Sequence, residues 1–101
     1  MTVKLSSAQR RYLKQLAHHL KPLLQLGKEG PSPKFVREVV TQLDSHELLK
    51  MRVLNNCMAP ASDIVAALEE QDVTVVQKVG HVYTLFLQRE QDSEISLPDP
   101  K

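Results

Sequence analysis

Lys21-Pro22-Leu23-Leu24-Gln25-Leu26-Gly27-Lys28-Glu29-Gly30-Pro31-Ser32-Pro33 is the stretch on which the fold turns. Leu23 to Leu26 is a short apolar run, long enough for a strand and too short for a helix. Gly27 and Gly30 follow, where the backbone turns sharply or approaches another body closely. Ser32 suits a helix N-cap and Pro33 the first helical position. The stretch therefore predicts strand, glycine loop, helix. A loop that empties into a helix N-terminus presents backbone N–H groups to an anion, and Lys28 and Lys34 add positive charge there. On the GxxG pattern alone, an ordinary strand-to-helix turn is the simpler reading.

On the N-terminal side, Ser6 and Gln9 fit a capping box that opens a helix from about Ala8 to His19. Tyr12, Leu13, Leu16, Ala17 and Leu20 form its apolar face. Arg10, Lys14 and His18 recur four apart on another face with Arg11 beside them, as a ridge for phosphates or a solvated surface. On the C-terminal side, a helix is predicted from Pro33 to Leu43, with Phe35, Val36, Val39, Val40 and Leu43 inward. Lys34 and Arg37 stand near its start, where they would flank the glycine loop. Ser45-His46-Glu47 reads as a turn. Leu48 to Val53 alternates, with Leu49, Met51 and Val53 on one side and Leu48, Lys50 and Arg52 on the other. A third helix is expected from Pro60-Ala61-Ser62, with Ser62 as its cap. Val73 to Val79 and Val82 to Leu87, joined at Gly80-His81, predict an antiparallel hairpin.

The expected order is α-β-α-β-α-β-β, an α/β domain of the two-layer α+β type with a mixed four-stranded sheet. Its 101 residues suit one domain, over residues 1–90, followed by a polar, loosely attached tail over 91–101. The absence of an apolar leader and the single cysteine, Cys57, fit a cytoplasmic protein. No run approaches the ~20 apolar residues of a membrane span. Net charge is only +1, but it is unevenly distributed. Residues 1–52 carry ten Lys/Arg against four Asp/Glu, a balance of +6. Residues 53–101 carry three against eight, a balance of −5. Such asymmetry suits a polarised surface whose basic side meets a polyanion.

Several separated segments then resemble one family. They are Leu16-Ala17-His18 with Leu20-Lys21-Pro22, Leu26-Gly27-Lys28-Glu29-Gly30, His46-Glu47-Leu48-Leu49-Lys50, and Val79-Gly80. In this order they resemble the CRM domain (chloroplast RNA splicing and ribosome maturation), and most of all the stand-alone bacterial YhbY-like proteins. The resemblance implies a fold similar to the C-terminal domain of translation initiation factor three. It also implies RNA binding without catalysis or cofactor, and association with precursors of the large ribosomal subunit. Gly27 and Gly30 match the family's paired glycines, and Lys28 matches a basic or polar loop position. His46, Glu47 and Lys50 match its His-Glu-Leu-x-Lys stretch. Glu29 departs by placing an acid in the loop, and His81 by following the hairpin glycine. Leu85-Phe86-Leu87 lacks the basic residue that commonly ends the last strand, for which Arg89 stands two residues further on.

These readings define an RNA-binding assembly factor whose partner is ribosomal RNA of the large-subunit precursor. Gly27, Lys28, Glu29 and Gly30 would meet the RNA backbone with Lys34 and Arg37 beside them. Lys21, Arg10, Arg11, Lys14, Lys50 and Arg52 would extend the surface. The alternative is a protein-interaction module that docks a basic ribosomal protein on the acidic third helix or tail. An enzyme is not expected. The adjacent His18-His19 pair diverges by roughly 100° on a helix and cannot chelate as an i,i+4 pair would. GKEG lacks the length and Lys-Ser/Thr ending of a nucleotide-binding loop. No metal site and no membrane contact are expected, and a monomer suits a chain without a heptad seam.

Overall fold

In the computed structural model, residues 5–88 are described together with Ser93, Ile95, Leu97 and Pro98. Helix α1 (Ser7–Ala17) opens with the expected capping box. Ser6 Oγ accepts from the Gln9 N–H, and Gln9 Oε1 accepts from the Ser6 N–H, each at 3.1 Å. Strand β1 (Pro22–Leu26) leads through the glycine loop into α2 (Pro33–His46). There Ser32 caps as predicted, its Oγ accepting from the Phe35 N–H at 3.2 Å. Strand β2 (Leu48–Val53), helix α3 (Ala61–Glu69) and the hairpin of β3 (Thr74–Val79) and β4 (Val82–Phe86) complete the order. The sheet order is β1-β2-β4-β3, with β1 parallel to β2 and the other two pairs antiparallel.

The α/β class, the element order and the mixed four-stranded sheet are as expected; the layering differs from the two-layer expectation. Adjacent strand residues point to opposite faces, and on this sheet both faces are covered. Leu24, Leu26, Leu49, Met51 and Leu85 pack against Val39 and Leu43 of α2 and Ile64 and Leu68 of α3. On the other face Leu48, Val76 and Phe86 pack against Leu13 and Ala17 of α1. Leu48 thus shares a face with Lys50 and Arg52, as alternation predicts, and is buried there under α1. Helix α1 covers only the end of this face where β2 begins, which leaves Lys50 half-buried and Arg52 exposed further along.

Three local expectations are corrected. Helix α2 runs through His46, because the Glu47 N–H still donates to Leu43 O at 2.7 Å. The predicted turn collapses onto Glu47 alone, with φ 60°. Ser62 lies inside α3, whose N-cap is Pro60; the Pro60 carbonyl accepts from the Asp63 and Ile64 N–H groups at 3.0 and 3.2 Å. The described part of the tail lies against the body instead of being loosely attached. Ile95 and Leu97 pack on the α1 cluster, and Gln9 Nε2 donates to Pro98 O at 3.1 Å. Arg89 lies outside the described residues.

One contact links α1 to the sheet edge. Val75 pairs with Leu85 and Gln77 with Thr84, so Val76 is an extra residue, a β-bulge. The Arg10 guanidinium donates to Val75 O at 3.1 Å and also to Val76 O. A charged donor placed on two strand carbonyls is a stabilising contact. Arg10→Ala is expected to lower stability by about 1–3 kcal/mol, whereas exposed Arg11→Ala stays within about 0.5 kcal/mol of the parent. Urea unfolding of the two variants checks this, and equal midpoints would dismiss the contact as incidental.

Candidate nucleic-acid interface

The two loop glycines have different jobs. Gly30 is buried with φ +67°, a region that L side chains rarely adopt. A β-carbon on Gly27 would meet Asn56 Oδ1 at 3.6 Å and Leu54 Cδ1 at 3.7 Å, which is ordinary contact. The loop closes on itself: the Gly30 N–H donates to Gly27 O at 3.1 Å, and the Ser32 N–H to Gly30 O at 2.8 Å. Phe35 gives its N–H to the cap, and Pro31 and Pro33 have none. Among the described residues the backbone donors left unpaired here are those of Gly27, Lys28, Glu29 and Lys34. The anion-binding capacity of the loop is therefore narrower than its composition suggested. A groove of about 270 Å³ runs along it, walled by Gln25, Lys28, Ser32 and Phe35 among others.

A second groove, of about 430 Å³, opens where α1 leaves the sheet uncovered. Lys14 of α1 and His18 just after it line the groove, with Lys50 and Arg52 from β2 and Gln77 and Thr84 from the hairpin. Among the described residues no carboxylate lines it. The bulge helps to build it, since Val76 fills the α1 core while Gln77 faces the groove. The grooves meet at Gln25, which walls the first and is the β1 register partner of Arg52 in the second.

The structure brings Lys14, Lys50 and Arg52 together and sets them beside Gly27, Lys28, Glu29 and Gly30. Lys21, Arg11 and Lys34 are exposed. Arg10 is turned into the sheet edge. Arg37 lines a separate groove between α2 and α3, whose far wall carries Glu70. Glu47, although part of the resemblance motif, is 1% exposed and is a structural residue. Its carboxylate accepts from Ser93 Oγ at 2.6 Å and from the Ile95 N–H at 3.2 Å. The sequence reading passed over Gln25, Gln77 and Thr84, although alternation with Leu24 and Leu26 marks Gln25 as facing away from the α2 side. It also passed over a cavity at Tyr83. Among the described residues no group of three His, Cys, Asp or Glu could hold a metal, and no helix is long and apolar enough to cross a membrane.

A small mixed α/β domain with a glycine loop and an uncovered basic half-sheet is the class of protein these features define. The family model of the CRS1/YhbY (CRM) domain matches residues 5–86, and the chain belongs to that family. It is 33% identical over 95 residues to the probable RNA-binding protein YqeI of Bacillus subtilis, covering 93% of this chain and 99% of the relative. It is 35% identical over 95 residues to an RNA-binding protein of Haemophilus influenzae, covering 93% and 95%. The solution structure of the hypothetical protein SAV1595 from Staphylococcus aureus superposes with a TM-score of 0.75 at 30% identity, covering 94% of this chain and all of that one.

The asymmetry of the two glycines is measurable. Gly30→Ala is expected to cost about 1–2 kcal/mol of stability, the penalty of a β-carbon at positive φ. Gly27→Ala is expected to unfold within about 0.5 kcal/mol of the parent. Chemical denaturation of both decides it; a tolerant Gly30 would contradict a left-handed backbone at that position.

Proposed function

We propose that this protein is a non-catalytic, monomeric, cytoplasmic RNA-binding protein that associates with precursors of the large ribosomal subunit and assists their assembly. The observation that carries the RNA reading is the groove of Lys14, His18, Lys50 and Arg52 adjoining the glycine loop, which no carboxylate lines among the described residues. Relatives named as RNA-binding proteins support it. The ribosomal assignment rests on the resemblance to YhbY-like proteins. RNA phosphates lie along the groove and reach the loop, where the unpaired N–H groups and the Lys28 and Lys34 ammonium groups receive them. Lys21 and Arg11 extend the positive surface. Arg37 contributes less, since Glu70 stands across its groove. Exposed Glu69 and Glu70 lie at the end of α3, on the opposite side of the sheet, where a basic ribosomal protein would meet them.

Contacts of this kind hold the backbone and make affinity steeply salt-dependent. Binding to large-subunit precursor particles and to a structured RNA across a salt series is the test. Lys28→Ala/Lys34→Ala and Lys50→Ala/Arg52→Ala are each expected to weaken binding. Each is also expected to flatten the log–log salt slope by about 0.7 per lost phosphate contact. Arg37→Ala is expected to change both much less. Unaltered slopes in both double variants, with folding confirmed by circular dichroism, would move the interface off this surface. Binding to structured RNA without binding to precursor particles would remove the ribosomal part of the proposal and leave the RNA part.

A further inference from the structure

A third concavity, of about 300 Å³, lies between the 54–60 connection, the start of α3 and the β3–β4 hairpin. Ala59, Ile64 and Val53 give it apolar walls, Cys57 and Tyr83 line it, and Lys78 and His81 stand on the hairpin side. Among the described residues no carboxylate lines it. We infer that this cavity seats an unstacked nucleobase of the RNA strand whose backbone the glycine loop holds. The inference rests on the RNA-binding reading above and adds base readout to it.

Tyr83 is the first ground. It is 2% exposed, and among the described residues its hydroxyl has no hydrogen-bond partner. A buried tyrosine hydroxyl ordinarily has one. Burial, and then the neighbouring Cys57 sulfur, push this phenol above its usual range, so at neutral pH it remains a donor. Lys78 Nζ stands 5.9 Å from the Tyr83 ring centroid, within cation–π reach. The ligand therefore meets the phenol hydroxyl and a lysine donor at one side and aliphatic carbon at the other. A flat heterocycle with carbonyl and ring-nitrogen acceptors on its edge has that pattern.

Position is the second ground. The 54–60 connection separates this cavity from the glycine loop and touches both. The Leu54 N–H donates to Leu26 O at 2.9 Å, and a β-carbon on Gly30 would lie 3.5 Å from Ala59 Cβ. A strand held at the loop therefore lies across the 54–60 connection from the cavity. Single-stranded RNA is read in this way, with the backbone held and an unstacked base seated by its polar edge. The volume is at the small end of ligand sites and suits one base.

The test uses the full chain and ten-nucleotide homopolymers of A, C, G and U. The parent protein is expected to prefer one of them. Tyr83→Phe keeps the ring, and is expected to weaken that one about 2- to 10-fold with no change in salt slope. Saturation with the preferred homopolymer is expected to slow alkylation of Cys57 by iodoacetamide several-fold, and inorganic phosphate is not. Unchanged alkylation under saturating RNA overturns the inference. So does a Tyr83→Phe protein with parental affinity and preference. Failure of the underlying reading looks different, since the parent protein would then show no salt-dependent RNA binding at all.

Discussion

A single residue, Glu47, separates helix α2 from strand β2. The chain must leave the helix and enter the sheet within it, so Glu47 takes a positive φ although it is not glycine. Such a conformation costs roughly 1–2 kcal/mol for an L-residue, and the surroundings offset that cost. Its N–H still serves the helix at Leu43 O, and its carbonyl accepts from the Leu87 N–H at 2.9 Å at the end of β4. Its buried carboxylate receives Ser93 and the Ile95 amide. One side chain and its own backbone therefore join α2, β2, the end of β4 and the C-terminal segment. The next two residues, Leu48 and Leu49, enter the two opposite cores. Both layers of helices are set from this point.

The same strand then changes character along its length. Where α1 lies over it, both faces are apolar; beyond α1, one face carries Lys50 and Arg52. The helix is short enough to stop at Ala17 and leave that half of the sheet open. The open half is basic, and the acidic end of α3 lies on the other side. Lys50 and Arg52 thus lie on one side of the sheet and the acidic end of α3 on the other, while Arg37 of α2 faces Glu70 across the groove between the two helices.

Much of this was legible in the chain. The Ser6–Gln9 and Ser32–Pro33 signals opened α1 and α2 where expected, because capping is local chemistry. Alternation in Leu49-Lys50-Met51-Arg52-Val53 placed the basic pair on one face. Leu48 lies on the face that alternation gave it, with Lys50 and Arg52, but its burial there depends on α1, some thirty to forty residues away in sequence, which no local period reports. The end of α2 was hidden because a glutamate rarely adopts positive φ, so Ser45-His46-Glu47 looked like an ordinary polar turn. Arg10, Lys14 and His18 appeared equivalent at a spacing of four. The bulge at Val76 takes Arg10 and leaves the other two on the groove, and a bulge leaves no clear mark in a β-branched run such as Val73-Thr74-Val75-Val76. Tyr83 escaped notice because a tyrosine in an alternating strand reads as core, and only the three-dimensional arrangement shows a buried hydroxyl that, among the described residues, has no hydrogen-bond partner.

The bulges have a further consequence, for what the sheet refuses. Its outer strands are β1 and β3. An outer strand offers a free ladder of amides and carbonyls to any extended peptide or to a second copy of the chain. On β1 the ladder starts at a proline and its register slips between Pro22 and Leu24. On β3 it is interrupted at Val76, and two of its carbonyls are engaged by Arg10. Neither margin presents an even row to a fifth strand. Crowded among unfolded chains and other extended segments, this domain is guarded against growth by strand addition. Its associations are left to the side chains on its faces and ends.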